Sequence, residues 1–257
     1  MIEIRGISKC FVRREGWRRV SVAAVTCVDL LAADARITAL LGPNGAGKTT
    51  TLRMLAGLLE PDAGTLAVDG IDVVRNGRQA RGRMGVLSDA RGLYPRLTAR
   101  ENIVYYGRLQ GLPADAAGAR AEELARTLDL QPLMDRRTDG FSQGERMKTA
   151  LARALVHDPP NIVLDEPTNG LDVVATRALR ETLRRLRDEQ GKCIVFSTHI
   201  MQEVERLCDE VVVVAGGRSV AHGSVEQLLA QTGERDFENA FVALAYGRGE
   251  GGRRPGA

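Results

Sequence analysis

The residues from Gly42 to Thr49 match the pattern GxxxxGK[ST] at every fixed position, as Gly42-Pro43-Asn44-Gly45-Ala46-Gly47-Lys48-Thr49. Glycines at these positions let backbone N–H groups turn towards phosphate oxygens, and a helix beginning at the end of the pattern adds partial positive charge. The Lys48 ammonium is predicted to reach the β- and γ-phosphates, and the Thr49 hydroxyl is predicted to bind Mg²⁺. Together with Thr50, the pattern predicts a phosphate-binding loop.

A pair of carboxylates, Asp165 and Glu166, directly follows the apolar run Ile162-Val163-Leu164. Such a run predicts a buried strand that ends where the acids begin. Asp165 is predicted to hold Mg²⁺ through water, and Glu166 is predicted to polarise the attacking water as a general base. The pair indicates hydrolysis of the nucleotide in addition to its binding.

Two further positions have side chains suited to a phosphate site. Ser142 and Glu145 form the S-x-x-E pattern that caps the start of a helix. A free hydroxyl and the N–H of Gly144 at such a start can bind a second anion. His199 follows an apolar strand, where its side chain can be directed at a phosphate. The alternatives are an ordinary capped helix for the first position and a structural histidine for the second.

Composition limits the class of protein. With 257 residues, of which 44% are apolar, the chain can bury a large core, and this excludes a disordered protein. The net charge of +3 gives no overall basic character that would indicate nucleic-acid binding. The four scattered cysteines, without a CxxC pair, argue against a zinc site or a disulfide framework. No apolar run has the length of a membrane-spanning helix, so a cytosolic protein is expected.

Strands and helices must alternate to position these residues. Residues 2–7 and 20–31 predict an antiparallel pair of strands, with a solvated basic turn around residues 13–19. Residues 49–59 have helical spacing. Four apolar runs predict strands of a largely parallel α/β sheet, at residues 37–41, 162–164, 193–197 and 211–214.

The same patterns predict the organisation of the chain. We expect one domain over residues 1–230, with a helical part at about 90–156 inserted in its core. A short C-terminal helix is expected within residues 231–246. Residues 247–257 are rich in glycine and arginine, and this composition predicts a disordered tail.

Three segments together resemble a known family. Phe141-Ser142-Gln143-Gly144-Glu145 resembles the signature helix, usually LSGGQ, of ATP-binding cassette (ABC) ATPases. Gly170-Leu171-Asp172 resembles the D-loop of that family, and Ser197-Thr198-His199 resembles its switch histidine. With the phosphate loop and the acid pair, these motifs lie in the family's order and cover roughly residues 1–225. Gln143 and Glu145 depart from the usual Gly and Gln.

The resemblance implies a P-loop NTPase (RecA-like) core with an antiparallel β subdomain and an inserted α-helical subdomain. It implies hydrolysis of ATP with Mg²⁺, with Lys48, Glu166 and His199 as catalytic residues. It further implies a homodimer, arranged head-to-tail, in which Ser142 and Gly144 of one copy contact the ATP held by the other. Asp172 is then expected to help link the two ATP sites of the dimer. Phe11 matches the aromatic residue that stacks on adenine, and core packing is its alternative.

One position departs from the family pattern inside the expected metal site. Residues 84–89 align with a segment of the family that normally ends in glutamine, and Asp89 takes that place here. A carboxylate is shorter than the glutamine side chain and is charged. It can still reach Mg²⁺ through water, so Asp89 is predicted as a third metal-binding residue beside Thr49 and Asp165.

Residues 90–102 resemble the corresponding stretch of exporter ATPases of the ABC-2 type, with the greatest similarity to the NatA-like sodium-extrusion group. The resemblance implies a separate ABC-2 type membrane permease as partner and a location at the inner face of the cell membrane. It implies Na⁺ as the exported ion, no nucleic-acid partner and no direct contact with the cargo.

Seven arginines in residues 75–100 suggest a surface for this permease, with a solvated face as the alternative: Arg75, Arg78, Arg81, Arg83, Arg91, Arg96 and Arg100.

Two other functions remain open at this point. The first is an ABC ATPase that acts on ribosomes or nucleic acid and not in transport. Such proteins usually have two cassettes in one chain or a long coiled-coil insertion, whereas this sequence shows one cassette. The second is a catalytically inactive binding module, against which Glu166 and His199 argue.

Overall fold

The computed structural model describes residues 1–16, 18–88 and 92–247. These residues form a ten-stranded sheet with the strand order β5-β4-β1-β2-β10-β9-β3-β8-β7-β6. The strands are β1 (Ile2–Glu15), β2 (Arg18–Ala32), β3 (Ile37–Leu41), β4 (Ala63–Val68), β5 (Ile71–Asp72), β6 (Met84–Leu87), β7 (Asn161–Asp165), β8 (Cys193–Thr198), β9 (Glu210–Ala215) and β10 (Arg218–Gly223). The tail predicted to be disordered lies, beyond Gly247, outside the described residues.

The central part of the sheet is parallel. Strand β3 pairs with β8 and β9, β8 pairs with β7, and β7 pairs with β6, all in the parallel direction. Leu41 lies opposite Thr198, and Asp165 lies opposite Ser197. Because parallel strands end at the same edge, this register brings the residues that follow β3, β7 and β8 to one side of the sheet.

Burial on both faces explains why these strands are almost entirely apolar. All five residues of β3 and all six residues of β8 are buried. Successive side chains of β3 point to opposite faces. Leu40 packs in a cluster with Ile2, Val28 and other residues of the antiparallel part, whereas Leu41 packs in a second cluster under the helices.

The helices cover both faces of the sheet. They are α1 (Lys48–Leu55), α2 (Gly77–Gly82), α3 (Ala99–Leu109), α4 (Ala114–Thr127), α5 (Gln143–Leu155), α6 (Val173–Gln190), α7 (Met201–Leu207), α8 (Val225–Thr232) and α9 (Phe237–Tyr246). Helices α3, α4 and α5 pack against one another and form the helical part between β6 and β7. The described residues contain no helix that is both long enough and apolar enough to cross a membrane.

Two local predictions were wrong. The basic segment around residues 13–19 is not a broad solvated turn, because Arg14 pairs with Arg19 and the two strands continue almost to the end of the hairpin. An exposed hairpin can carry charged side chains within its strands, so charge did not mark the turn. Helix α1 ends at Leu55 and not at residue 59, because Gly57 adopts a left-handed φ of 64°.

Candidate functional site

The phosphate loop connects β3 to α1, and hydrogen bonds to the loop's own backbone hold its lysine in place. Gly47 precedes the helix with a φ of 101°, and Lys48 is the first helical residue. The Lys48 ammonium donates to the backbone carbonyls of Gly42 at 2.8 Å and of Pro43 at 3.2 Å. With only 5% of its surface exposed, Lys48 is fixed beside the loop that would receive the phosphates.

Close packing and backbone conformation explain two of the glycines. A Cβ atom on Gly42 would lie 2.2 Å from the carbonyl oxygen of Val214 in β9. A Cβ atom on Gly47 would lie 2.5 Å from the carbonyl oxygen of Ala24 in β2, and the φ of Gly47 also disfavours a side chain. Strands β9 and β2 therefore pack closely against the two ends of the loop and restrict its backbone conformation.

Asp165 ends β7 next to the start of α1. Its Oδ1 accepts hydrogen bonds from the Thr49 hydroxyl at 3.1 Å and from the Ser197 hydroxyl at 2.6 Å. The carboxylate and the two hydroxyls present only oxygen atoms, which are the ligands that Mg²⁺ prefers. Thr49 and Asp165 therefore fit the predicted role of holding a magnesium ion, whereas Asp89 lies outside the described residues.

Glu166 lies at the centre of the site. Its Oε1 is 3.3 Å from the Lys48 ammonium, and its Oε2 is 2.7 Å from Nδ1 of His199. An ionised carboxylate can only accept, so Nδ1 donates and the other ring nitrogen of His199 remains available. The structure thus brings together all three residues predicted to be catalytic.

Ser197 is a residue of the site that sequence reasoning missed. Glu166 has a φ of 47°, a conformation that is uncommon for a residue with a side chain, and its N–H donates to the Ser197 hydroxyl at 2.9 Å. The same hydroxyl donates to Asp165. Ser197 therefore orients both acids from the neighbouring strand. A hydroxyl at the end of an otherwise apolar strand was the available signal.

The second helix start predicted to bind an anion is formed at α5. The Ser142 hydroxyl accepts from the N–H of Glu145 at 3.3 Å, and the Glu145 carboxylate accepts from the N–H of Ser142 at 2.7 Å. The hydrogen bond from Ser142 lowers the pKa of Glu145, and nearby Arg136 adds to the effect. The first-turn N–H of Gly144 remains as a donor for a ligand.

Helix α6 starts directly beside this position. Asp172 caps α6, because its Oδ1 accepts from the N–H of Ala175 at 2.7 Å. A Cβ atom on Gly144 would lie 3.3 Å from that of Ala175, so the two helix starts are in contact. An open cavity of about 530 Å³ is lined by Ser142, Gly144 and Asp172 among others. Asp172 thus lies beside the signature residues.

The α5 start and the phosphate loop, both predicted to bind anions, are not joined directly within one chain. Among the described residues, no hydrogen bond or ion pair links residues 142–145 to the phosphate loop. Phe11 is 43% exposed and pairs with Val22, two residues from the part of β2 that packs on Gly47. Its exposure argues against core packing and leaves its ring free to stack on a ligand.

Sequence comparison agrees with this geometry. The profile of the ABC transporter family matches residues 26–169, more than half of the chain, and the match includes the phosphate loop, the signature helix and the acid pair. The chain belongs to the ABC transporter family. It is an ATP-binding subunit that hydrolyses ATP, and the fold predicted from the sequence, a P-loop NTPase core with antiparallel and helical additions, is confirmed.

Relatives of this ABC subunit include transporter ATP-binding proteins of bacteria. It is 43% identical to the ABC transporter ATP-binding protein NatA of Bacillus subtilis, over 92% of this chain and 96% of that protein. It is 46% identical to the Nod factor export ATP-binding protein I of Burkholderia lata, over 74% of this chain and 62% of that longer protein. It also resembles the solved dimeric structure of a bacterial ABC transporter cassette, with a TM-score of 0.77 and 25% identity over 87% of this chain and 98% of that one.

The role assigned to Ser197 can be tested by Ser197→Ala. Loss of one hydroxyl leaves both acids without the partner that orients them, and a lost hydrogen bond of this kind costs about 1–3 kcal/mol, or roughly 5- to 160-fold in rate. We expect ATP turnover to fall by that factor while ATP affinity, measured by equilibrium binding, changes little. The matched control is Ser21→Ala, at an exposed serine of the β1–β2 hairpin. Equal turnover in the two variants would contradict the assignment.

Proposed function

We propose that this protein is the ATP-hydrolysing motor subunit of an exporter. Two copies, arranged head-to-tail, enclose two ATP molecules with Mg²⁺ and drive a separate ABC-2 type permease from the inner face of the cell membrane. The observation that carries the proposal is that, among the described residues, no hydrogen bond or ion pair joins the α5 start to the phosphate loop of the same chain. The phosphate loop of one copy is completed when the α5 start of the other copy reaches the bound ATP.

When ATP binds, its phosphates would replace the Glu166 carboxylate as the partner of the Lys48 ammonium. In the structure, the Lys48 ammonium contacts the Glu166 carboxylate and two carbonyls of its own loop. The β- and γ-phosphates carry more negative charge than one carboxylate, so they can replace Glu166 at the ammonium. Glu166 is then free to interact with water, and Phe11 is available to stack on the adenine base.

Glu166 and His199 supply the chemistry at the γ-phosphate. A water oxygen attacks the phosphorus as the bond to the bridging oxygen of ADP breaks, and the water proton passes to the Glu166 carboxylate. His199 orients this carboxylate through Nδ1 and presents its other nitrogen to the γ-phosphate. Lys48 stabilises the negative charge that develops on the phosphate oxygens. Mg²⁺, held by Thr49 and Asp165 and proposed also to contact Asp89, would neutralise part of the same charge.

The surface beside the α5 start supports contact with a second copy. Val173 and Val174, at the start of α6, are 82% and 78% exposed although both are apolar. Both follow Asp172 in the chain, and Val174 lines the cavity next to Ser142. A second copy that brings its ATP to Ser142 and Gly144 would cover both valines. Loss of the γ-phosphate removes the contacts that hold the copies together, and the dimer reopens.

Exposed arginines support contact with a permease, and similarity to export proteins supports the proposed cargo. The structure divides the arginines of residues 75–100, because Arg75, Arg83 and Arg100 form ion pairs within the chain, whereas Arg78, Arg81 and Arg96 are exposed without an ion pair among the described residues. Arg91 lies outside the described residues. These three are proposed to face the permease. Export agrees with the name of the Nod factor relative, and Na⁺ is proposed as cargo from the sequence resemblance to the sodium-extrusion group. The comparisons do not favour a function on ribosomes or nucleic acid.

The variant Glu166→Gln tests the proposed cycle. The amide keeps the size of the side chain but cannot accept the water proton, so we expect ATP turnover to fall by about 10²–10⁴-fold. ATP should still bind, and size-exclusion chromatography with Mg²⁺ and ATP should show a dimer that the wild type forms only transiently.

The matched control is Glu189→Gln, at an exposed glutamate of α6, which should retain turnover and show no trapped dimer. A Glu166→Gln chain that remains monomeric with ATP, or that hydrolyses ATP at the rate of the control, would disprove the cycle.

The proposed cargo requires the complete transporter. Inside-out membrane vesicles with this subunit and its ABC-2 type permease should accumulate Na⁺ when ATP is added, and Na⁺ should stimulate the ATPase activity. Vesicles with the Lys48→Ala subunit should do neither, because the phosphates lose their ammonium partner. ATP-dependent movement of another solute without Na⁺ accumulation would contradict Na⁺ as the cargo and leave the ATPase cycle intact.

A further inference from the structure

The side chain of Gln143, at the start of α5, contacts the loop that leads into α6. Its Nε2 donates to the backbone carbonyl of Asn169 at 3.2 Å, in the loop between β7 and α6. The amide also lies directly over Gly170, where a Cβ atom would come within 2.3 Å of Nε2. The resemblance to the family places a glycine at position 143, and a glycine has no side chain with which to make this contact.

The loop that Gln143 contacts also carries Glu166. The N–H of Asn169 donates to the carbonyl of Glu166 at 3.0 Å, so a tight turn joins the two residues. At the other side of this turn, the Glu166 carboxylate contacts Lys48 and His199. A displacement of Glu166 therefore reaches Gln143 through one turn and one hydrogen bond.

The backbone of Gln143 forms part of the α5 start. Gln143 is the first residue of α5 and lies between Ser142 and Gly144. Under the proposed function, these two neighbours contact the ATP held by the second copy, whereas Glu166 acts on the ATP held by its own copy. Gln143 is thus in contact with elements of both ATP sites of the dimer.

Burial in the dimer would strengthen this contact. In one copy the hydrogen bond from Gln143 to Asn169 is exposed, and an exposed bond contributes little to stability. A second copy covering the α5 and α6 starts would exclude water from it, and a hydrogen bond is stronger in such a medium. The contact therefore matters in the closed state and not for folding of the single chain.

We propose that Gln143 is a positioning residue that couples the two ATP sites of the dimer, a role that rests on the proposed function. When Glu166 moves with the state of its own ATP, the bond from Gln143 to Asn169 shifts the α5 start against the ATP of the partner. Hydrolysis at one site then depends on the state of the other.

The variant Gln143→Met tests this coupling, since methionine is of similar length and can pack on Gly170 but cannot donate to Asn169. The rate of ATP hydrolysis by the complete chain is measured as a function of ATP concentration. The Hill coefficient should be above about 1.5 for the wild type and about 1 for the variant, and the two sites of the dimer limit it to at most about 2. ATP affinity of the single chain and its melting temperature should remain unchanged. The matched control, Gln79→Met on α2, has no side-chain hydrogen bond within the described residues and should retain the wild-type Hill coefficient.

Two results would overturn the proposal. One is a wild-type Hill coefficient in Gln143→Met, and the other is a Hill coefficient of 1 in the wild type, since no coupling would then exist to be transmitted. Failure of the proposed function is distinguishable, because it would appear as a Glu166→Gln chain that forms no ATP-bound dimer.

Discussion

The site depends on the parallel register of β3, β8 and β7. This register places the phosphate loop, the two acids and His199 at one edge of the sheet, although these residues are far apart in the chain. It also sets Ser197 opposite Asp165, so that one hydroxyl orients both acids. The contacts of Glu166 with Lys48 and His199 depend on this arrangement, because Glu166 occupies an uncommon backbone conformation that the neighbouring strand supports.

The sequence was sufficient for features that depend on local order. The phosphate loop, the acid pair and the capped start of α5 each consist of residues a few positions apart, and each formed as the spacing indicated. The limits of β1, β2 and α1 were less predictable, because charged residues occur in exposed strands as well as in turns, and because a glycine ended α1 early.

Contacts between distant segments could not be predicted in the same way. Ser197 is separated from Asp165 by more than thirty positions, and only the strand register reveals that their side chains meet. The bond from Gln143 to the loop before α6 is of the same kind. The departure of Gln143 from the glycine that is usual in the signature motif was visible in the sequence. Its hydrogen-bond partner, Asn169, was not, because it depends on how α5 packs against the loop before α6.

The central claim is that one chain holds two halves of different ATP sites. It can be tested directly by mixing two variants, Lys48→Ala, which damages the phosphate loop, and Ser142→Asp, which keeps a helix-capping residue but repels the γ-phosphate. Each variant alone should be nearly inactive. In a mixed dimer, one site combines an intact phosphate loop with an intact α5 start, so the mixture should recover ATP hydrolysis. A mixture as inactive as its components, or full activity of Ser142→Asp alone, would contradict the claim.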